Sequence, residues 1–435
     1  MGLVQAACLA DLGHRVMGID HDPEKLKSFE RGEIPIYEPG LEVIVKRNRK
    51  AGRLSFSGDL REGVERSKII FICVNTPPLD TGETDLSYVG NVSKNIARYM
   101  TGYKLIVSKS TVPVETGRWI EKTVKRYYKG KGAFDVASNP EFLREGTAVH
   151  DFFHPERIVL GIQTKQAETL LRQLYSKIKN TRFVITDIES AELIKHASNS
   201  FLATKISFIN SLARVCDNVG ADITQVAHGM GLDSRIGHKF LQAGIGFGGF
   251  CFPKDLAAFI HIGDKSNVDL KILRAARAVN EEQVFYFVDR IRQRLKTVRG
   301  KSLAVLGLTF KPNTDDLRYS PALKLVHALV DRGASVNVYD PIALEKAKPL
   351  LPDQIRSFSD PYAAVKKTDA IIVCTEWPQI VKMDFKKVKR LVRKPIVFDG
   401  RNALSGKVLT QLGFLYTGVG VRGWQENRKN DHLFY

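Results

Sequence analysis

Along the first third of the chain, short apolar runs alternate with stretches whose apolar positions recur at helical spacing. This predicts a helix over residues 2–12 closed by Gly13, a strand over 15–20, and a helix opening at Asp22 and Pro23. Glycine suits the left-handed position that ends a helix, and proline the first turn, where its missing N–H is not needed. Apolar runs follow at 68–74, 104–107, 134–138 and 157–161, each leading into turn-rich or polar sequence. Strands that are apolar throughout and separated by helices point to a parallel sheet covered on both faces.

The pattern changes in the middle. Residues 189–220 and 271–295 read as long helices with few breakers, and a glycine-rich stretch at 244–249 lies between them. The last third returns to the first grammar: KSLAVLGLTFK at 301–311 is a strand running into a turn, followed by a helix and SVNVYDP. RVMGIDHDP and SVNVYDP both end a strand in an acid with Pro close behind, while KIIFICVNTPP and AIIVCTEWP both place Thr and Pro after a strand. The expected fold class is α/β. Two Rossmann-like, doubly wound parallel-sheet units (1–188 and 297–435) flank a central helical domain (189–296) with a long connecting helix.

At 435 residues the chain has room for about two to three domains. Its 43% hydrophobic content is ordinary for a globular protein, which excludes a disordered or collagen-like chain. No apolar run nears the roughly 18–20 residues of a membrane span, and no basic segment precedes the first apolar stretch as in a secretory signal. The 5 cysteines have no CxxC or other metal-ligand spacing, and their usage suits a reducing compartment. A soluble cytoplasmic protein with neither bound metal nor membrane contact is expected.

The net charge of +19 calls for anionic partners. It is unevenly spread: Lys46, Arg47, Arg49, Lys50 and Arg53 form one cluster, and Lys382, Lys386, Lys387, Lys389, Arg390, Arg393 and Lys394 another. Neither interleaves aromatics as a single-strand platform does, and no nucleic-acid recognition motif accompanies them. Solvated helix faces are expected, not nucleic-acid binding.

Candidate chemistry gathers at four places. Asp20 closes a strand where, in a dinucleotide-binding unit, an acid hydrogen-bonds the adenosine ribose, and Gly2 stands at the spacing of that unit's last glycine. In GIGFGGFCFPKD, residues 244–255, four glycines crowd Cys251, so a substrate can approach backbone amides beside a thiol; Lys254, three residues on, favours the thiolate. Lys195 and Asn199, four apart on a helix, point the same way and suit a developing oxyanion. Glu141 and Glu145 follow a strand end; one serves as a base for water, or both simply favour a helix N-terminus. A nucleophilic thiol beside a nicotinamide means covalent aldehyde chemistry.

In chain order, IYEPGLE, VNTPP, KSTVPVETG, SNPEFLREG, DFFHPERIVLG, SRIGHKFL, GFGGFCFPKD, TFKPNTDDLRYSPA and DGRN together resemble the UDP-glucose 6-dehydrogenase family over essentially the whole chain. The resemblance implies a four-electron oxidation of UDP-glucose to UDP-glucuronate with two NAD and one water, through a Cys thiohemiacetal and thioester. It makes Cys251 the nucleophile, Lys195 and Asn199 the oxyanion pair, and Asp255 the acid that orients water. Glu141 becomes the base for thioester hydrolysis, and Thr111 a neighbour of the nicotinamide. The acceptor of the first alcohol proton stays open between Lys195, Asp255 and a bound water.

For NAD the resemblance implies Gly2, Asp20, Lys25, Val74, Asn75, Thr76, Pro77, Ser110, Thr111, Val112, Glu145, Cys251, Lys254 and Arg318. For the sugar nucleotide it implies Glu141, Phe142, Leu143, Arg144, Glu145, Lys195, Asn199, Phe240, Gly246, Phe247, Gly248, Gly249, Phe310, Lys311 and Arg401. It also implies Arg235, reaching into the neighbouring subunit of a homodimer. The 1–188, 189–296 and 297–435 segments become the NAD-binding, Cys-bearing central and UDP-binding domains.

Two departures stand out. Phe250 occupies a position where the family usually has Ser, and Phe250→Ser is expected to keep or improve UDP-glucose turnover. The central first strand and the first two glycines of the dinucleotide turn are also missing, so a functional chain is expected to begin about ten residues upstream. In-frame upstream DNA encoding an apolar strand that ends in G-x-G-x-x is the corresponding expectation. The alternatives are a dehydrogenase of another nucleotide-sugar, or a chain that binds UDP-sugar without NAD turnover.

Overall fold

The apolar runs become strands and the amphipathic stretches helices in a computed structural model, which describes residues 1–79 and 81–421. The described chain packs as two units: Met1–Ser200 with Lys254–Asp269, and Phe201–Pro253 with residues 270–421. The helical middle is therefore shared. The 32-residue helix Ile188–Val219 starts in the first unit and ends in the second, and the helix Cys251–Lys265 passes from the second to the first.

The first unit holds β1 (Val16–Ile19), β2 (Leu54–Ser57), β3 (Ile69–Ile72), β4 (Lys104–Ser108), β5 (Phe134–Ser138), β6 (Arg157–Gly161) and β7 (Arg182–Thr186). β1 and β2 pair in parallel as a sheet of their own, and β3 to β7 form a second sheet in sequence order. Pairing is parallel except between β5 and β6, which meet antiparallel at Ser138 and Gly161. Among the described residues β1 pairs only with β2, and β3 only with β4. Helix Gly2–Asp11 packs its buried Val4, Cys8 and Leu9 into the apolar core that also holds Leu105, Val107 and Leu160.

The second unit holds β8 (Ser302–Leu306), β9 (Ser335–Tyr339), β10 (Arg356–Ser357), β11 (Ala370–Val373), β12 (Ile396–Asp399) and β13 (Leu415–Gly418). All six are parallel in the order β10-β9-β8-β11-β12-β13, the doubly wound plan with its switch point between β8 and β11. One face packs against the helix Lys271–Leu295 through Phe287, Val288 and Ile291; the other carries Trp377 and Ile380. Asp340, the acid after β9, is buried and accepts from the amides of Leu308 and Thr309 at 2.8 and 3.2 Å. In this unit the acid is used up closing the β8 turn, whereas Asp20 after β1 keeps a partly exposed carboxylate.

Among the described residues no helix is long and apolar enough to cross a membrane. The basic clusters are drawn into local pairs: Arg47 with Asp11, Lys46 with Glu42, Arg393 with Asp369, and Lys387 over the Tyr362 ring.

Candidate active site

In the first unit the loops that follow β3, β4 and β5 leave the same end of the sheet and are sewn together. Ser110 Oγ donates to the Val74 carbonyl at 2.7 Å, and Thr76 Oγ1 to the Thr111 carbonyl at 2.9 Å. Asn139, just after β5, donates its backbone N–H to Ser108 O at 2.9 Å. These bonds bring Val74, Thr76, Ser110 and Thr111 into one patch. Asn75 is exposed beside them.

Residues 141–144 lie in neither helix nor strand and 145–147 form a turn, so the two glutamates stand ahead of the first turn of helix Ala148–Phe153. The cause lies upstream, in Glu38. Its carboxylate accepts from the amides of Gly146 and Ala148, both at 2.7 Å, pinning the turn that leads into helix Ala148–Phe153. Arg144 is held aside by Asp151 at 2.6 Å. Phe142 lies between the Arg157 guanidinium, 4.1 Å from its ring centre, and Lys195 Nζ at 5.2 Å.

Five charged or polar side chains then converge, all buried. Lys195 and Asn199 share a face of the helix Ile188–Val219, as four-residue spacing requires. Lys195 Nζ sits 3.6 Å from Glu141 Oε1, while Glu141 Oε2 accepts from the Leu143 amide at 2.7 Å. Asn199 Nδ2 donates to Asp255 Oδ2 at 2.6 Å, and Asp255 Oδ1 pairs with Lys254 Nζ at 2.7 Å. Burial alone raises the Asp255 carboxyl, but Lys254, Lys195 and His196 overcome it and hold it below the usual carboxylate range. His196, kept below its ordinary value mainly by burial, donates from Nε2 to the Val112 carbonyl at 2.8 Å and ties the helix to the loop after β4. Lys254 thus directs its ammonium at the Asp255 carboxylate.

The second unit carries the thiol. Cys251 is the first residue of the helix Cys251–Lys265, at the positive end of its dipole. Burial pushes the Cys8 and Cys374 thiols up to about 12. The glycine-rich approach to Cys251 is bracketed from remote sequence. Asn280 Oδ1 accepts from the Phe247 amide at 2.8 Å, Asn210 Oδ1 from the Gly244 amide at 2.9 Å, and Gln283 donates to the Gly244 carbonyl at 2.9 Å. Gly249 has φ +75°, and a Cβ there would lie 2.7 Å from the Phe310 ring, so only glycine lets this backbone pass.

Arg401 donates from Nη1 to the Gly246 carbonyl at 3.3 Å and from Nη2 to the Phe310 carbonyl, which joins the loop after β12 to the one after β8. Lys311 lies over the Phe310 ring, its Nζ 5.4 Å from the centre. Arg318 is forked onto Asp316 by two 2.8 Å bonds and stacks on Phe250. Phe240 has a left-handed backbone and packs its ring 6.1 Å from Phe252. Arg235 has its side chain 87% exposed and bonds locally to Asp233 at 2.6 Å.

This order of parts, an NAD-type unit, a helical segment with a thiol, and a second doubly wound unit, has a match. Models of the UDP-glucose/GDP-mannose dehydrogenase family cover the chain in turn: the NAD binding domain over residues 1–179, the central domain over 189–282 and the UDP binding domain over 304–406. The chain belongs to this family. Membership makes it an NAD-dependent dehydrogenase.

UDP-glucose 6-dehydrogenase TuaD of Bacillus subtilis is 45% identical over 432 residues, covering 99% of this chain and 94% of the relative. The UDP-glucose 6-dehydrogenase of Rickettsia felis is 41% identical, covering 97% of this chain and 94% of that relative. Among solved structures, a UDP-glucose dehydrogenase from the archaeon Pyrobaculum islandicum superposes with a TM-score of 0.90 at 40% identity, covering 97% of this chain and 95% of that one.

The first unit's residues fit the family's cofactor. Asp20 follows β1 with a partly exposed carboxylate, steadied by the Asp22 amide at 3.0 Å and by Lys25 Nζ at 3.6 Å. Gly2 allows the first helix to approach β3's end closely, since a Cβ there would lie 3.1 Å from Cys73 Cβ. Sequence reasoning missed the polar brackets Asn210, Asn280 and Gln283, the pinning Glu38, and His196. Glu38 stood inside the quoted IYEPGLE; the others carried no local signal.

Proposed function

We propose that the chain oxidises C6 of UDP-glucose to the carboxylate, giving UDP-glucuronate without releasing the aldehyde. The observation that carries this reading is the buried set Lys195–Glu141 and Asn199–Asp255–Lys254 in the first unit. It holds two cations, two carboxylates and an amide where a simple alcohol dehydrogenase needs one base. Bound NAD supplies the hydride acceptor for both oxidations.

Lys195 and Asn199 steady negative charge on the C6 oxygen as it develops. After the first two-electron oxidation, the Cys251 sulfur bonds to the aldehyde carbon and the oxygen takes a proton, forming a thiohemiacetal. The second two-electron oxidation leaves a thioester on Cys251. Glu141 takes a proton from water as its oxygen attacks the thioester carbon; the C–S bond breaks and the thiol is regenerated. Asp255, kept ionised, orients that water. Thr111 lines the cofactor side, while Phe310, Lys311 and Arg401 serve the UDP end.

A cytoplasmic homodimer belongs to the same reading. Phe201, Phe208 and Val215 recur every seven residues along one helix and remain 65, 50 and 52% exposed, an apolar stripe of the kind that pairs helices. Arg235 is the residue proposed to reach across. The test of substrate and electron count is NADH formation with a panel of UDP- and GDP-sugars. Two NADH per UDP-glucose are expected; one per sugar, or preference for another sugar, overturns the reading.

A further inference from the structure

Lys109 stands directly after β4 and is buried, with its ammonium inside the first unit. Nζ donates to Asn139 Oδ1 at 3.1 Å; Asn139 Nδ2 donates to the Val159 carbonyl at 2.8 Å, and Tyr175 OH donates to the same Oδ1 at 2.7 Å. Gln5 Nε2 in turn donates to Tyr175 OH at 3.0 Å, so the chain of bonds runs back to the first helix. The Asn139 carbonyl oxygen is therefore satisfied by Tyr175 without the lysine. An apolar side chain would fill this space without the desolvation that a buried ammonium suffers. A charge kept there at that penalty calls for an electrostatic task.

The charged and titratable groups that act on Lys109 come from each neighbouring element: Cys73 after β3, Glu141 after β5, and Lys195 from the helix Ile188–Val219. Glu141 lies two residues beyond Asn139, the group Lys109 grips. Lys195 acts electrostatically on Asp255 while also lying beside Glu141, so its charge is shared between two carboxylates.

We propose that Lys109 is a positioning residue for thioester hydrolysis: anchored on Asn139, it fixes the segment that bears Glu141 and sets a positive charge within electrostatic reach of that carboxylate. This rests on the reading of Glu141 as the hydrolytic base. Burial brings the Lys109 ammonium down to about 8, against the pull of Glu141 and Cys73, so it is still mostly charged at neutral pH.

The test is the decay of the Cys251-bound thioester in a single turnover with UDP-glucose and NAD, read from the intact mass of the quenched protein across roughly pH 5 to 9. In Lys109→Met the acid limb of the decay rate is expected to move up by about one pH unit, while Lys109→Arg, which keeps the charge, follows the wild type. Lys109→Gln keeps a donor to Asn139 without the charge and is expected to move as Lys109→Met does, so a folding failure of one variant leaves the other decisive. Profiles of unchanged shape in the neutral variants, or an equal displacement in Lys109→Arg, overturn the inference. Glu141→Gln is run alongside. If it hydrolyses the thioester at the wild-type rate, the reading of Glu141 fails; if it is slow while the Lys109 profiles do not move, only the role of Lys109 fails.

Discussion

The Arg318 guanidinium carbon lies 4.4 Å from the centre of the Phe250 ring, one residue before Cys251. The Arg318 carbonyl also accepts from the Gly249 amide at 2.9 Å, so the backbone and the ring hold the same arginine while Asp316 forks it from the other side. Phe250 therefore has a partner that its sequence position alone does not reveal.

That contact sharpens what Phe250→Ser does. Losing a cation–π contact of about 0.5–2 kcal/mol loosens Arg318, which we propose to meet the cofactor. Steady-state kinetics are expected to show the KM for NAD rising roughly 3- to 10-fold, with kcat and the KM for UDP-glucose within about 2-fold. Phe250→Tyr restores the wild-type value. A fall in kcat with the NAD KM unchanged would contradict this assignment.

Asn199 tethers a buried carboxylate, and its loss has two consequences. Asn199→Ala removes the 2.6 Å bond to Asp255 and is expected to lower kcat by about 10²–10³ with little change in KM. Asn199→Asp sets a second carboxylate against Asp255 and is expected to be worse, also lowering the midpoint in urea. Equal, small effects of both would remove Asn199 from the oxyanion role.

Lys109 predicts opposite changes in stability and activity. Its ammonium is lowered by burial from the usual 10.5 to about 8, so the unfolded chain binds this proton more tightly than the folded one. The sign follows from linkage: the site opposes folding below about pH 8 and stops doing so as pH rises toward 10.5. Lys109→Met is therefore expected to stabilise the chain at pH 7 by about 2–4 kcal/mol while slowing hydrolysis. Denaturant midpoints at neutral and alkaline pH check it; a gain that is the same at both would show packing, not charge, to be responsible.

The exposed stripe of the long helix predicts assembly. Phe208→Glu is expected to shift the protein toward monomer in sedimentation velocity, and Phe201→Glu to do the same, since both side chains are at least half exposed. A wild-type protein that sediments as a monomer contradicts the dimer.

How far the sequence carried these conclusions depended on the kind of interaction. The strand Phe134–Ser138 and the helix Lys271–Leu295 fall on their expected bounds, because unbroken apolar runs and helical periodicity are strong local signals. β2, β7, β10, β12 and β13 were not picked out. The helix start at Cys251 was hidden by the glycines before it and Pro253 within it, although proline is tolerated in a first turn.

The antiparallel contact of β5 with β6 and the turn leading into helix Ala148–Phe153 depend on strand pairing and on Glu38, residues far away in the chain. At the site, Lys195, Asn199, Asp255 and Glu141 were legible as residue types at suitable spacings. That they form two linked pairs was not, because each partner lies on a different element: Glu141 after β5, Lys195 and Asn199 on one long helix, Asp255 on another.

The central claim is covalent oxidation at Cys251, and one measurement addresses it most directly. Glu141→Gln protein is mixed with UDP-glucose and NAD, quenched and digested, and the peptide that carries Cys251 is weighed. The account predicts that peptide displaced by the mass of a UDP-glucuronyl group, with two NADH formed per adduct. An unmodified Cys251 peptide alongside released aldehyde and one NADH per sugar would contradict it.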